Sequence, residues 1–499
     1  MRNLGGASLQ GDETIFAQVG REAANGALLP LHFEGAPFLH KPPLLPWAIG
    51  LSFRLFGFTE FSSRLPAALS GLALVLLVYL AGSVLFSRLT GAVAALTLLT
   101  NFNLLFTHGL RRGVADGPLL LFLSAGLLLY LARRTRASAA SAVRWSEIAL
   151  CGALLGLGLY CKSGVALLGV AIVGLFVALF PLPEEGGLLS LRRFRDPLLL
   201  TAVALALFLP WLAAMGVATH GEYPRFLVAT DLLARATQGI DSTHLHRGVY
   251  WRVLKVDFRW KLLLLLPLPL LLAWRQRNGG HRTELARVTF LAIWAAVVLG
   301  AFAAAVSRLP WYIAPAYPAL ALLLGWSVEA LYRFLLHLAE ASGASGAAGS
   351  RKPLAGLLLL LLLGGVGVTL ARGLWRSWEA AGEDVARIDA QRIALYLESL
   401  GHPGLPNTCI EPRTTMREWN AFYLLPLCRR HVHGPADASG CDFILARSPE
   451  AYLSPGELAS RARRLSKFDS REEDLWFLSP RHDLPAEILN APPPPVEVA

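Results

Sequence analysis

The stretch SRLPAALSGLALVLLVYLAGSVLF, residues 63–86, holds a single charge in 24 residues. A helix of that length, rising 1.5 Å per residue, crosses about 30 Å of hydrocarbon. Similar runs recur at 90–109, 115–132, 146–161, 164–182, 197–214, 260–274, 286–306, 312–335 and 353–371, and each reads as a span. The whole chain agrees. Of its 499 residues 54% are hydrophobic and 16% charged, where a soluble domain carries about 25% charged residues. The predicted class is an all-α polytopic membrane bundle, with a small α/β soluble domain after the last span. The net charge of +11 does not call for nucleic acid, because many Arg and Lys lie in short loops, where they set membrane orientation.

Four basic clusters fix that orientation: Arg133, Arg134, Arg136 and Arg144; Arg192, Arg193 and Arg195; Arg275, Arg277, Arg282 and Arg287; and Arg351 with Lys352. With all four on the cytoplasmic side the spans alternate without conflict. Three units follow. Residues 1–61 are an external segment with two non-spanning helices, 12–26 and 44–57; the second carries Trp47, Phe53 and Phe56 and suits the membrane interface. Residues 62–374 are the membrane domain, with an external loop over 215–258. Residues 375–499 are an external soluble domain. Ala386, Ala390, Ile393, Leu397 and Leu400 recur there at helical spacing, 441–445 and 475–478 read as strands, and the proline run 492–495 reads as disordered. Cys151 and Cys161 fall in apolar runs as small hydrophobes. Cys409, Cys428 and Cys441 lie in the tail, where one disulfide can form and its pairing is not readable. No internal repeat is found.

The polar residues that look out of place gather on the external face. Asp12 and Glu13 open the first helix; neighbours on a helix point about 100° apart, so at most one faces a common site. Asp12 reads either as the helix N-cap, with Glu13 favoured by the dipole, or as a general base with Glu13 as a substrate contact. Lys41 precedes Pro42-Pro43 on a stiffened loop, where it either snorkels to lipid headgroups or binds a substrate phosphate. Arg111 and Arg112 stand just before Asp116, itself a second N-cap candidate, and cations at an external end suggest an anionic ligand. Lys162 interrupts an apolar hairpin at a cost of about 2.5–3.5 kcal/mol unless paired or wetted, so it marks a site or the turn. Arg308 adds a further cation. Tyr312, beside Trp311, reads as a substrate contact or as an interface-belt aromatic. His220, His244 and His246 lack metal-ligand spacing on one helix, so no metal ligand is assigned and a divalent metal has no residue-level support. The surplus of cations suits an anionic headgroup, most simply a lipid phosphate.

This ordered set resembles the GT-C polytopic glycosyltransferases, in particular the bacterial lipid A aminoarabinose transferase and protein O-mannosyltransferase-like branch. The residues that carry the likeness are Gly11-Asp12-Glu13, Ala17, Arg21-Glu22, 28–32, Gly35, Pro37-Phe38, Lys41-Pro42-Pro43, 61–66, Arg111 with Asp116, Lys162-Ser163-Gly164, Pro210-Trp211 and 308–318. They span about the first 335 residues; the tail adds nothing. The resemblance implies transfer of a sugar from a polyprenyl-phosphate donor to a lipid, glycan or protein acceptor at the periplasmic side of a bacterial inner membrane, with inversion. It implies Asp12 as base, Asp116 assisting, and Lys41 on the donor phosphate, with Arg111, Arg112, Lys162 and Arg308 as further cations. Three departures stand out. Relatives have a spanning helix before the Asp-Glu pair, which predicts a coding start upstream of Met1. His40 stands where many carry glutamate, and Lys162-Ser163-Gly164 replaces Lys-Gly-Pro. The rival classes are a transporter or flippase of lipid-linked sugars, with midplane charges and repeat symmetry, and an inactive scaffold indifferent to replacement of Asp12 and Lys41.

Overall fold

The computed structural model describes residues 2–136, 143–181, 190–238, 248–259, 282–344 and 351–382, and in the tail 408–410, 428–431, 441–446, 450, 452–468, 473–479 and 482–484. Two short helices come first, α1 (Asp12–Ala24) and α2 (Leu44–Phe56). Gly11 adopts φ 58° and ψ −132°, a conformation that suits glycine, and the turn it makes delivers Asp12 as the first helical residue. Asp12 is therefore not the N-cap; Gly11 is. On α2, Leu51, Leu55 and Phe56 leave an exposed apolar face, which fits a helix lying against lipid.

Six helices among the described residues are long and apolar enough to cross a membrane: Glu60–Leu85 (α3), Asp116–Arg134 (α5), Arg195–Ala218 (α8), Arg282–Ala304, Pro310–His337 and Gly356–Ala380. α3 starts at a reciprocal cap in which Thr59 and Ser62 satisfy each other's backbone N–H. Shorter apolar helices are α4 (Arg88–Leu99), α6 (Trp145–Leu159) and the segment Val165–Leu179. α3 and α4 touch at Gly82 and Gly91, where a Cβ on Gly82 would lie 2.6 Å from the Gly91 Cα; a side chain at either position would force the helices apart.

The structure corrects one span. The run 90–109 is not one helix: α4 stops at Leu99, and a π-helical turn, Asn103–Thr107, follows. Its 12 residues cover only about 18 Å. The Thr97 and Thr100 hydroxyls bond back to carbonyls of Val93 and Thr97, and Asp257 holds Asn103 through both its backbone N–H and its side-chain amide. The predicted span 260–274 lies outside the described residues.

The loops sort to two ends of the bundle. α5 shows both: Asp116 opens it and Arg133 and Arg134 close it, roughly 28 Å away. At the basic end Asp196 is 1% exposed and meets Arg195 at 2.9 Å, Arg134 at 3.7 Å and the Tyr130 hydroxyl at 2.8 Å. Arg287 reaches Thr135 from the helix Arg282–Ala304. The described parts of three of the four predicted basic loops thus share one end. In the tail a five-stranded sheet runs in the order Cys428–His431, Thr408–Ile410, Phe443–Ala446, Glu473–Leu478, Ala462–Phe468, its first two pairings parallel and its last two antiparallel. The disulfide joins Cys409 and Cys441. The helix expected over 386–400 and the proline run lie outside the described residues.

The N-terminal segment is fastened at one buried ion pair. Arg64, 5% exposed, donates to both Glu13 carboxylate oxygens at 2.8 and 3.0 Å and to the carbonyls of Leu4, Ala7 and Ser8. Removing one partner of such a pair costs about 3–5 kcal/mol, since the other charge stays buried. Glu13→Ala is therefore expected to lower the Tm of the purified protein sharply in a thermal-unfolding scan; an unchanged Tm contradicts this anchor.

Candidate active site

At the end of the bundle away from the basic loops, a cavity of about 580 Å³ is lined by Asp12, Lys41, His108, Asp116, Lys162 and Asp231, with Trp311 and Tyr312 in its wall. Each charged side chain comes from a different place in the chain. Asp12 opens α1 after the Gly11 turn. Lys41 sits on the loop before α2, and Asp116 is the first residue of α5. His108 directly follows the π-helical turn. Lys162 is at the tip between α6 and the short helix beginning at Val165. Asp231 lies on a second π-helical segment, Leu227–Ala234.

These groups form two linked sets. The His108 imidazole stands between the two acids, with Nε2 3.2 Å from Asp12 Oδ2 and Nδ1 2.9 Å from Asp116 Oδ2. Lys162 Nζ donates to the other Asp116 oxygen at 3.0 Å. Lys41 Nζ donates to Asp231 Oδ1 at 3.2 Å. Two aromatic rings back the cations: Trp311 stacks on His108 at 4.5 Å and 8°, and Lys162 lies 5.5 Å over Tyr312. Both rings thus face cavity cations.

Burial pulls the His108 imidazole down, but its bonds to Asp116 and Asp12 outweigh burial and raise its pKa to about 9. It is therefore protonated at neutral pH. Desolvation raises the Asp12 carboxyl, and His108 more than offsets it, so Asp12 sits below the ordinary carboxylate range. Burial likewise lowers Lys162, and Asp116 reverses the sign. Among the described residues three carboxylates thus face three cations in the cavity. Its chemical repertoire is a half-exposed carboxylate (Asp12) beside two ammonium groups that can receive an anion.

The other predicted residues lie elsewhere. Glu13 is 0% exposed and tied to Arg64, to Arg112 at 3.0 Å and to the Gly113 N–H at 2.9 Å. It serves the fold and lines no part of this cavity. Arg112 also donates to the Phe106 carbonyl, and Arg111 donates to the Arg2 carbonyl. Both arginines line a separate cavity of about 350 Å³ with Gln10 and Arg64. Arg308 donates to the Ala303 carbonyl, while its neighbours Ser307 and Leu309 line the main cavity. Sequence reasoning missed His108 because it fell at the end of the supposed span 90–109. The signal was present: Thr107-His108-Gly109 is a polar break four residues before Arg112.

Comparison with solved structures decides the architecture. ArnT from Cupriavidus metallidurans bound to undecaprenyl phosphate superposes with a TM-score of 0.67 at 19% identity, covering 94% of each chain. The chain has the GT-C fold. The archaeal oligosaccharyltransferase AglB from Archaeoglobus fulgidus, in complex with an inhibitory peptide and a dolichol-phosphate, aligns at TM-score 0.56 and 13% identity over 97% of this chain and 71% of its own. A family model described as dolichyl-phosphate-mannose-protein mannosyltransferase matches residues 40–213 of this chain. By sequence the chain is 29% identical over 325 residues to an undecaprenyl phosphate-alpha-4-amino-4-deoxy-L-arabinose arabinosyl transferase of Pseudomonas fluorescens, which is 63% of this chain and 54% of that one. A transferase of the same name from Pseudomonas savastanoi pv. phaseolicola is 27% identical over 63% of this chain and 56% of its own length. The chain spans about half the length of the curated relatives it matches.

The raised His108 pKa has a stability consequence with a definite sign. A group whose folded pKa exceeds its unfolded value of about 6.5 stabilises fully below 6.5 and loses that contribution as pH rises through the folded pKa. The stability difference between wild type and His108→Asn, measured by thermal unfolding in micelles, is expected to shrink from pH 6.5 to about 9. A difference that is constant or grows over that window contradicts the bridge.

Proposed function

We propose that this protein is a multi-pass inner-membrane glycosyltransferase that moves a sugar from a polyprenyl-phosphate donor to a lipid, glycan or protein acceptor on the periplasmic side. The observation that carries the reading is the convergence of Asp12, His108, Asp116 and Lys162, with Lys41, on one cavity at the end of the bundle away from the basic loops. Basic loops favour the cytoplasmic side, so the cavity faces out. Relatives whose names carry undecaprenyl phosphate, and a fold neighbour bound to that lipid, support a polyprenyl phosphate as the donor's carrier.

In the proposed reaction Lys41 and Lys162 hold the donor phosphate. The acceptor oxygen attacks the anomeric carbon from the opposite face, and its proton passes to Asp12. The bond from the anomeric carbon to the phosphate oxygen breaks, its electron pair stays on the phosphate, and configuration inverts. Charge on the phosphate rises as the bond breaks, so fixed cations bind the transition state more tightly than the ground state. His108 fixes one Asp12 oxygen and leaves the other for the hydroxyl. A carboxylate of depressed pKa suits late proton transfer, after positive charge at the anomeric carbon has acidified the attacking hydroxyl. The polyprenyl phosphate is a good leaving group and needs no acid. Asp116 acts through His108 and Lys162 as the positioning acid.

Replacing Asp12 with Asn keeps a hydrogen-bonding oxygen toward His108 but removes the base. Transfer, read by mass spectrometry of envelope lipids, glycans and proteins from cells carrying each form, is expected to fall at least about 100-fold with Tm preserved. Near-normal product from a folded Asp12→Asn protein would remove the proposed base. A flippase instead predicts movement of a lipid-linked sugar across proteoliposomes with no glycosidic bond formed.

A further inference from the structure

The cavity has a mismatch to resolve. Among the described residues its charges already cancel: Asp12, Asp116 and Asp231 against Lys41, His108 and Lys162. A phosphate entering such a space adds negative charge with no further cation among the described lining residues, and uncompensated charge away from water is costly. One carboxylate must therefore yield its cation. Asp116 is 5% exposed at the start of a spanning helix and is held by both His108 and Lys162. Asp12 is held by His108 on α1, which Glu13 anchors to Arg64. Asp231 differs from both. It sits outside the spanning helices, on a π-helical segment, a rare backbone form often found at functional positions. It pairs with the lysine of the donor-facing loop, and that loop also touches the residue just before the π-helical segment, where His40 meets the Phe226 ring edge-on at 4.8 Å.

We propose that Asp231 is a built-in stand-in for the donor phosphate: its carboxylate occupies Lys41 when no donor is bound, and an incoming phosphate displaces it. The exchange is charge-balanced. The phosphodiester brings one negative charge as the Asp231 carboxylate leaves Lys41, so the lysine is never stranded in a low-dielectric space. Affinity for the polyprenyl phosphate is thereby set by competition, and a neutral polyprenol gains nothing from the exchange. This rests on the reading of the cavity as the donor site, and it assigns Asp231 a role in tuning donor affinity, with no part in bond making.

The test uses the full chain in nanodiscs and measures binding of undecaprenyl phosphate, with undecaprenol as the uncharged control. Asp231→Asn and Asp231→Ser are expected to lower the Kd for undecaprenyl phosphate roughly tenfold, while Asp231→Glu stays near wild type. Adding Lys41→Ala is expected to abolish the gain. If wild type binds the phosphate but the Asn and Ser variants bind it equally or more weakly, Asp231 is no competitor and the inference falls, with the function untouched. If wild type prefers the phosphate no more than undecaprenol, the donor reading itself fails.

Discussion

One imidazole between two carboxylates holds this site together. His108 takes Asp12 on one nitrogen and Asp116 on the other, at 3.2 and 2.9 Å, and so joins an N-terminal helix, a π-helical turn and a spanning helix at one point. None of the three could place its residue alone. The turn is pinned from behind by Asp257, which also accepts from Tyr317. The N-terminal helix is pinned by the Glu13–Arg64 pair. Both supports are buried ionic or charge-assisted contacts, which fix register at the cost of desolvation.

The same electrostatic constraint runs through the rest of the bundle. In an apolar chain a lone charge is expensive, so charges occur as sets that cancel locally. At the basic end Asp196 offsets part of the charge of Arg134 and Arg195. The cavity does it at the other end, with Lys41 on Asp231 and Lys162 on Asp116. A site balanced without its substrate must rearrange to admit an anion. In the proposed exchange the group that yields is Asp231, on a π-helical segment outside the spanning helices.

Much of this was legible in the sequence because misplaced charges are conspicuous against Leu and Ala. Asp12, Lys41, Asp116 and Lys162 were each singled out on that ground, and the structure brings all four to one cavity. The 100° rule for neighbours admits at most one of Asp12 and Glu13 to a common site, and the structure turns Asp12 to the cavity and Glu13 to Arg64, away from the substrate contact expected of it. What stayed hidden was direction. Arg111 and Arg112 stand four or five residues from Asp116, yet the turn between them sends Arg112 back to Glu13 and the Phe106 carbonyl. His108 was masked by the apolar run before it, because composition does not reveal that α4 ends at Leu99. The partner of Lys41 is 190 residues away in sequence, and no spacing rule reaches that far. The sheet of the tail was visible only as two strands, since the pairing of short strands is a tertiary property.

The most direct measurement is a cryo-electron microscopy structure of the full chain in nanodiscs with undecaprenyl phosphate bound. The account predicts phosphate density within hydrogen-bond distance of Lys41 and Lys162, with the Asp12 carboxylate facing the position of the sugar-bearing oxygen. Phosphate density in the Arg111–Arg112 cavity, or at the basic end beside Arg134 and Arg195, would contradict it.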